Sequence, residues 1–393
     1  MAPQWLTAIL AGGIGGGIQT IATFIPPIGF MFLCLCFLED SGYMARAAFV
    51  MDRFMRTIGL PGKAFVPMLV GFGCNVPAIM ATRTLENQRD RTLTIMMNPF
   101  MSCGARLPVY ALFAAAFFPS GGQNLVFGLY LLGIVFAVGT GLVLKSTLLK
   151  GEITPFVMEL PPYHAPTVKG VLLRAWDRLK TFIFRAGKVI IPVVVVLSFL
   201  NSMGTDGSFG NEDSSQSVLS AIGKSITPVF APMGLTRENW PATVGIFTGI
   251  FAKEAVVGTL DAMYTQIGAA AAAEAGAEDG GTGAMAALFD GKVGAFAYLL
   301  FILLYFPCVA AIAAVYRETN FRWSAFVGAW TTGLAYMASV LFYQAATIGR
   351  HLVSSLLWIA VICALCLGLI MIMRQVGGKE RAAVAGLPDG VKA

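Results

Sequence analysis

Three cysteines in this sequence stand beside residues that break helices. Cys74 lies in "GFGCNVPAIM" (71–80), Cys103 in "NPFMSCGARLP" (98–108) and Cys308 in "YFPCVAAIA" (305–313). A thiolate is a soft ligand that favours transition metals over Na+, K+ or Mg2+. Proline carries no N–H, so Pro99 leaves the carbonyl of Ile95, and Pro307 that of Leu303, without its helical donor. Sulfur and carbonyl oxygen then stand side by side, a donor set for a passing cation. The competing account is packing, because cysteine in an apolar helix behaves as a small hydrophobe. Cys34, Cys36, Cys363 and Cys366 sit in unbroken apolar stretches and take that account, the CxxC spacing of 363 and 366 included. All seven cysteines fall in apolar segments, so no disulfide framework is expected.

Ionisable residues inside apolar runs are the second signal, since charge at membrane depth is costly and usually functional. "CFLEDSGYMARAAF" holds Glu39, Asp40 and Arg46. A helix starting at Ile28 puts Glu39 roughly 16 Å along its axis, near the bilayer centre, and Arg46 lies on the same face to neutralise a carboxylate. Lys253 and Glu254 share one break, and Arg106 follows Cys103. Glu39 and Glu254 are either ligands or members of salt bridges that fix helix packing. His164 and His351 make no metal spacing, and no nucleophile–base pair is present. "VLSAIGKS" (218–225) has Val218 where a phosphate loop needs glycine.

The elements that must carry these residues are membrane helices. The chain has 393 residues, 57% hydrophobic and 12% charged, with mean hydropathy +0.74, whereas soluble domains carry about 25% charged residues. Apolar segments run near 6–25, 28–55, 66–85, 92–118, 124–149, 182–203, 243–262, 294–316, 324–348 and 352–373. They are too long, and too rich in internal Gly and Pro, for barrel strands. No Lys or Arg precedes Arg46, so the basic flank of a signal peptide is missing. The net charge of +6 is spread over loops, which argues for topology rather than nucleic-acid binding. Basic residues dominate Lys145–Lys188, Arg317–Arg322 and the tail, placing these on the cytoplasmic side, while the acidic stretch Asn201–Lys292 belongs outside. Those assignments agree only if 66–85 and 243–262 enter the membrane and return, from opposite faces.

The two re-entrant segments also align without a gap, 60–85 on 235–260, with Leu60, Thr84 and Leu85 matching Leu235, Thr259 and Leu260. A proline-broken span carrying a cysteine follows each. Inverted halves with discontinuous helices are a common way to build a midplane transport site. The expected fold is therefore all-α: a polytopic helical membrane protein with two inverted gate-like repeats containing re-entrant or broken helices. Its parts are N-terminal membrane helices (1–55), a first repeat (56–150), a cytoplasmic connection (151–181), a second repeat (182–320), C-terminal membrane helices (321–375) and a cytoplasmic tail (376–393). The second repeat carries an Ala/Gly-rich insert (263–293), read as a flexible external linker. The glycine run 12–18 predicts close helix packing.

The runs "FLEDSGYMARAAFVMDR", "VGFGCNVPAIMATRTL", "NPFMSCGARLPVYALFAAAFF", "TPFVMELPPYH" and "GIFTGIFAKEAVVGTL" resemble the bacterial ferrous-iron transporter B family up to about residue 350. The resemblance implies Fe2+ uptake across the bacterial inner membrane by a multi-pass permease. It matches Cys74, Cys103 and Cys308 to the family's metal-handling positions and Glu39 and Asp40 to its membrane acidic motif. Family members normally begin with a cytoplasmic GTPase domain, whereas this sequence opens inside the membrane part. The resemblance therefore implies that GTP is not bound by this chain, with a separate GTPase subunit and small accessory transport proteins as partners and a homo-oligomeric assembly. Membrane lipid and Fe2+ are the other expected partners, and nucleic acid is not one. On this expectation cations shed water at Glu39 and Asp40, then pass between the hairpin tips, where Cys74, Cys103, Cys308 and Glu254 lend ligands. Two alternatives stay open: a nucleoside-type solute carrier, and a non-transporting scaffold partner of an intact transporter.

Overall fold

A computed structural model describes residues 6, 8–151, 163–206, 208–210, 214, 216–275 and 281–385. Among these residues there is no β-strand, only two isolated bridges near 203–217. Sixteen α-helices follow one another. They are α1 (Gly16–Asp40, continuing a π-helical stretch Ala8–Gly15), α2 (Tyr43–Ile58), α3 (Phe65–Gly71), α4 (Asn75–Ala81), α5 (Gln88–Met97), α6 (Leu107–Phe117), α7 (Gly122–Ser146) and α8 (Val168–Ser202). Then come α9 (Val218–Ile226), α10 (Trp240–Phe251), α11 (Ala255–Ala275), α12 (Gly281–Leu288), α13 (Gly291–Leu304), α14 (Val309–Glu318), α15 (Phe321–Ala346) and α16 (Leu352–Ala385).

Among the described residues seven stretches are long and apolar enough to cross a bilayer: 9–40, 88–117, 122–146, 168–202, 291–318, 321–346 and 352–375. The fold is thus a polytopic helical membrane protein, with one correction at its start. The segments expected at 6–25 and 28–55 are a single span ending at Asp40. Pro26 and Pro27 lie inside α1 without stopping it, because proline fits helical φ and only forfeits a backbone bond. The chain breaks instead at Gly42, whose φ of 78° no β-carbon tolerates well. Beyond it α2 is amphipathic, burying Met44, Ala48, Met55 and Ile58 while leaving Phe49, Val50 and Phe54 exposed. Upstream, the glycine run does what its spacing predicts. A β-carbon at Gly13 would stand 2.9 Å from Val195 Cα, and one at Gly17 3.3 Å from Ile191 Cα, so α1 lies backbone to backbone on α8.

The two segments expected to turn back inside the membrane are both interrupted. α3 and α4 flank a break at Phe72–Cys74, and α10 and α11 flank one at Ala252–Glu254; within each pair the helices pack on one another. Both enter from a left-handed glycine, Gly59 (φ 99°) and Gly234 (φ 90°), so the outer ends match as aligned. The tips do not. The gapless alignment sets Phe72–Cys74 opposite 247–249, but α10 has 12 residues against 7 in α3, which carries the second break further along the chain. Were all seven to cross and both hairpins to return, Ser146, Val168, the Arg317–Arg322 turn and the end of α16 would share one side, and Met203 and Asp290 the other.

The insert at 263–293 is a second correction, because its described residues are mostly helix. α11 reaches Ala275, α12 follows from Gly281, and Met263, Tyr264, Met285 and Phe289 are buried. The Tyr264 hydroxyl donates to Asn239, and Phe289 joins a ring cluster with Phe113, Phe117 and Tyr298, the Phe113 and Tyr298 centroids 5.1 Å apart. Apolar side chains among the alanines supply the burial that a Gly/Ala linker lacks. The connection expected at 151–181 is likewise part helix, since α8 starts at Val168. "VLSAIGKS" forms α9, capped by Ser217. Of the run "TPFVMELPPYH", only Tyr163 and His164 are among the described residues.

Candidate functional site

Each hairpin tip meets the break of the span that follows it. The first broken span leaves α5 at Met97, makes a tight turn over Asn98–Phe100, runs extended to Cys103 and re-enters helix through Gly104–Arg106 into α6. Its Gly104 N–H donates to the Gly73 carbonyl at 3.3 Å, fastening the tip to the break one residue from Cys74 and one from Cys103. Asn75 is buried and, with its amide nitrogen turned toward the two oxygens, donates to the carbonyls of Asn98 (3.0 Å) and Gly71 (3.3 Å). The amide thus satisfies two carbonyls of the broken backbone.

In the second half α13 ends at Leu304, the chain runs extended through Tyr305 to Cys308, and α14 begins at Val309. Here the link to the hairpin is a side chain. Lys253, only 3% exposed, donates from Nζ to the Phe306 carbonyl at 2.8 Å, with its ammonium 3.1 Å from the centroid of the Tyr305 ring.

These two links draw together what the sequence separates. Cys74 and Cys308 stand at the starts of α4 and α14, which pack on one another, and Cys103 lies one residue before the Gly104–Gly73 bond that ties its segment to the first tip. All three thiols are partly accessible, while Cys36 is buried and Cys34 and Cys363 are exposed on the outer faces of their helices. Cys366 packs on the Met337 sulfur, in keeping with a structural role. Among the described residues no three His, Cys, Asp or Glu side chains lie close enough to hold one metal ion together.

The freed carbonyls differ from expectation. Those engaged by a ligand-like partner belong to Pro99 and Met101, which accept from Arg106 at 3.1 and 3.4 Å, and to Phe306, which accepts from Lys253. Two buried cations therefore hold carbonyls of the breaks, and none of these is the Ile95 or Leu303 oxygen that the sequence sets aside for a metal. Arg106 and Lys253 were visible beside the breaks, but not their targets, because which carbonyl a long side chain reaches depends on the tertiary fold. The buried Asn98 side-chain amide and the Tyr305 hydroxyl make no hydrogen bond, and neither was singled out by sequence.

Glu39 and Asp40 do not join this cluster, and the mid-depth placement expected for them is wrong. They are the last residues of α1, because the span begins near Ile9 and not at Ile28. Nor is Arg46 their partner. Glu39, half exposed, pairs with Arg178 at 2.7 Å, and Asp40 pairs with Arg174, both on the charged start of α8, while Arg46 lies 3.3 Å over the Tyr163 ring. Glu39 does line a cavity of 750 Å³ that runs up to the first hairpin at Val70, Val76 and Pro77, with Asp177, Arg178 and Glu318 also in its wall. Sequence reasoning also missed Glu318. It is buried at the end of α14 and receives Arg83 through Nε at 2.8 and 2.9 Å, together with Arg91.

The family model described as Gate, nucleoside recognition, matches residues 21–117 and 183–322. The one for the ferrous iron transport protein B C terminus matches 126–178. The Fe(2+) transporter FeoB of Legionella pneumophila (strain Lens) is 48% identical over 97% of this chain and 56% of its own length. The Escherichia coli (strain K12) Fe(2+) transporter FeoB is 47% identical over 95% and 53%, and that of Shigella flexneri is likewise 47% identical. The chain spans about half the length of the curated relatives it matches, and no solved structure matches it. With both gates and the segment between them accounted for, this chain belongs to the ferrous iron transport protein B family.

Proposed function

We propose that this chain is the permease part of an Fe2+ uptake system in the bacterial inner membrane. The observation that supports it best is that two hairpin–break pairs, packed together through α4 and α14, carry three partly accessible thiols. Fe2+ would pass between the tips, taking transient ligands from Cys74, Cys103, Cys308 and Glu254. Ligands that do not close into a cage suit a conduction site, where binding must be weak enough for release. Fe2+ ranks low in intrinsic affinity for such donors, so geometry and supply set selectivity. Glu39 and Asp40 lie on the side of the basic loops, so they act on the exit cavity and not as the place where the ion first sheds water. GTP coupling would come from residues outside this stretch, as a separate GTPase or a further domain. Small accessory proteins and a homo-oligomeric state belong to the same proposal.

The test is uptake of radiolabelled Fe2+ into proteoliposomes by the wild type and by Cys103→Ser. A loss of at least tenfold in the variant is expected from removing a soft ligand; equal uptake takes the thiol out of the mechanism. The matched Gate description favours one second reading, a nucleoside-type carrier. Competition by uridine, with none by Mn2+ or Co2+, would select it.

A further inference from the structure

The site just described carries positive charge of its own, which is unexpected on the path of a dication. We propose that Lys253 is a resident cation of the pathway: its ammonium holds the Phe306 carbonyl between passages, and a metal ion must displace it to reach Cys308. This rests on the thiol cluster being the transport site.

Four observations carry it. The Lys253 ammonium donates to the carbonyl of Phe306, two residues before Cys308, at 2.8 Å. It lies 3.1 Å from the Tyr305 ring centroid, a face that attracts cations in general and not ammonium alone. It is the sequence neighbour of Glu254, and the carbonyl it holds belongs to the break that ends at Cys308, both groups assigned to the metal. It is also the movable member of the pair, because a lysine stem has four rotatable carbons and its ammonium is a point charge without fixed geometry. Arg106, by contrast, grips two carbonyls of its own segment. Carbonyl and aromatic face form one cation site at the break that carries Cys308, and the chain supplies its own occupant. When metal enters, the ammonium swings off the carbonyl; when metal leaves, it returns and donates to that oxygen again.

The sign of the consequence separates this from a structural role. A lysine that merely props up the site would weaken metal binding when removed, whereas a competitor would strengthen it, since like charges in a poorly screened site repel strongly. The probe is Co2+, titrated into the purified chain in detergent and followed by its thiolate charge-transfer absorbance. Lys253→Met is expected to bind Co2+ at least tenfold more tightly than wild type, and Lys253→Gln, which keeps a donor for the carbonyl, to do the same should the methionine variant not assemble. Lys253→Arg keeps the charge and must show no tightening, while Cys308→Ser must lose absorbance. Wild-type absorbance with unchanged or weaker binding in the neutral variants overturns the competitor and leaves the thiol site standing. Tightening in Lys253→Arg also overturns it. No thiolate absorbance in any form overturns the site and the competitor together.

Discussion

Glu318→Gln tests whether the two halves are clasped where the hairpin of one meets the broken span of the other. Glu318 closes α14, and its side chain is 2% exposed. Arg83 lies in the turn after α4, and Arg91 in the first turn of α5, so both cations come from the first half and the carboxylate from the second. Removing one partner of a buried ion pair costs about 3–5 kcal/mol, chiefly because the other charge stays buried. The two arginines will not suffer equally. Arg83 is 54% exposed and can turn to water, whereas Arg91 is 22% exposed and its Nε is already buried without a partner. The loss should therefore be about 2–3 kcal/mol, below the fully buried case because one cation escapes to solvent. That is roughly a 30- to 150-fold change in an equilibrium constant. A double-mutant cycle by denaturant titration in mixed micelles, read by tryptophan fluorescence, should give a coupling of about 2 kcal/mol for Arg91 with Glu318 and under about 1 kcal/mol for Arg83. If Arg83 couples more strongly than Arg91, or Glu318→Gln shifts stability by less than about 0.5 kcal/mol, the argument from burial is wrong.

A β-carbon at Gly249 would stand 2.1 Å from the Tyr305 hydroxyl and 2.5 Å from Val256 Cγ2. Gly249→Ala should therefore displace the ring beneath Lys253 and cost about 1–3 kcal/mol in the same titration; a neutral result would mean that the break at Tyr305 yields freely. Glu39→Gln removes a half-exposed pair with Arg178, so it should change stability by less than about 1 kcal/mol and less still at high salt. A larger, salt-insensitive loss would show that the cavity wall is dry.

Membrane class, hairpins and broken spans were legible because each follows from local chemistry. Apolar length dictates a span, and a Gly/Pro cluster within it dictates a break that only protein can satisfy. Pro26–Pro27 misled for the complementary reason: proline marks a break only when something else forces the chain to turn, and here that residue is Gly42. Placing the first span too far along shifted Glu39 from the membrane edge to its centre and gave it the wrong partner. The gapless alignment failed at the tips because low identity fixes the ends of two helices without fixing their lengths. The insert misled because alanine-rich sequence serves linker and helix alike, and the difference lies in Met263, Tyr264, Met285 and Phe289 finding a core. Partners from distant segments, such as Glu318 with Arg83 and Lys253 with Phe306, leave no local trace.

The two halves are not equivalent machines. In the first, a backbone bond from Gly104 to Gly73 and the Asn75 amide tie tip to break, and Arg106 occupies its own segment's carbonyls. Every one of those links is short, so tip and break must move as a unit or stay still. In the second, the link is a single lysine side chain, which can lengthen, release and re-form without moving its backbone. Conformational freedom should concentrate where the restraint is longest and most flexible, so opening belongs to α10 and α11 more than to α3 and α4. Hydrogen exchange should therefore be faster at Ala252–Glu254 than at Phe72–Cys74, and only the former should slow when Lys253 becomes arginine, whose planar fork holds a carbonyl more rigidly. Equal exchange at the two tips would mean that the gates open together.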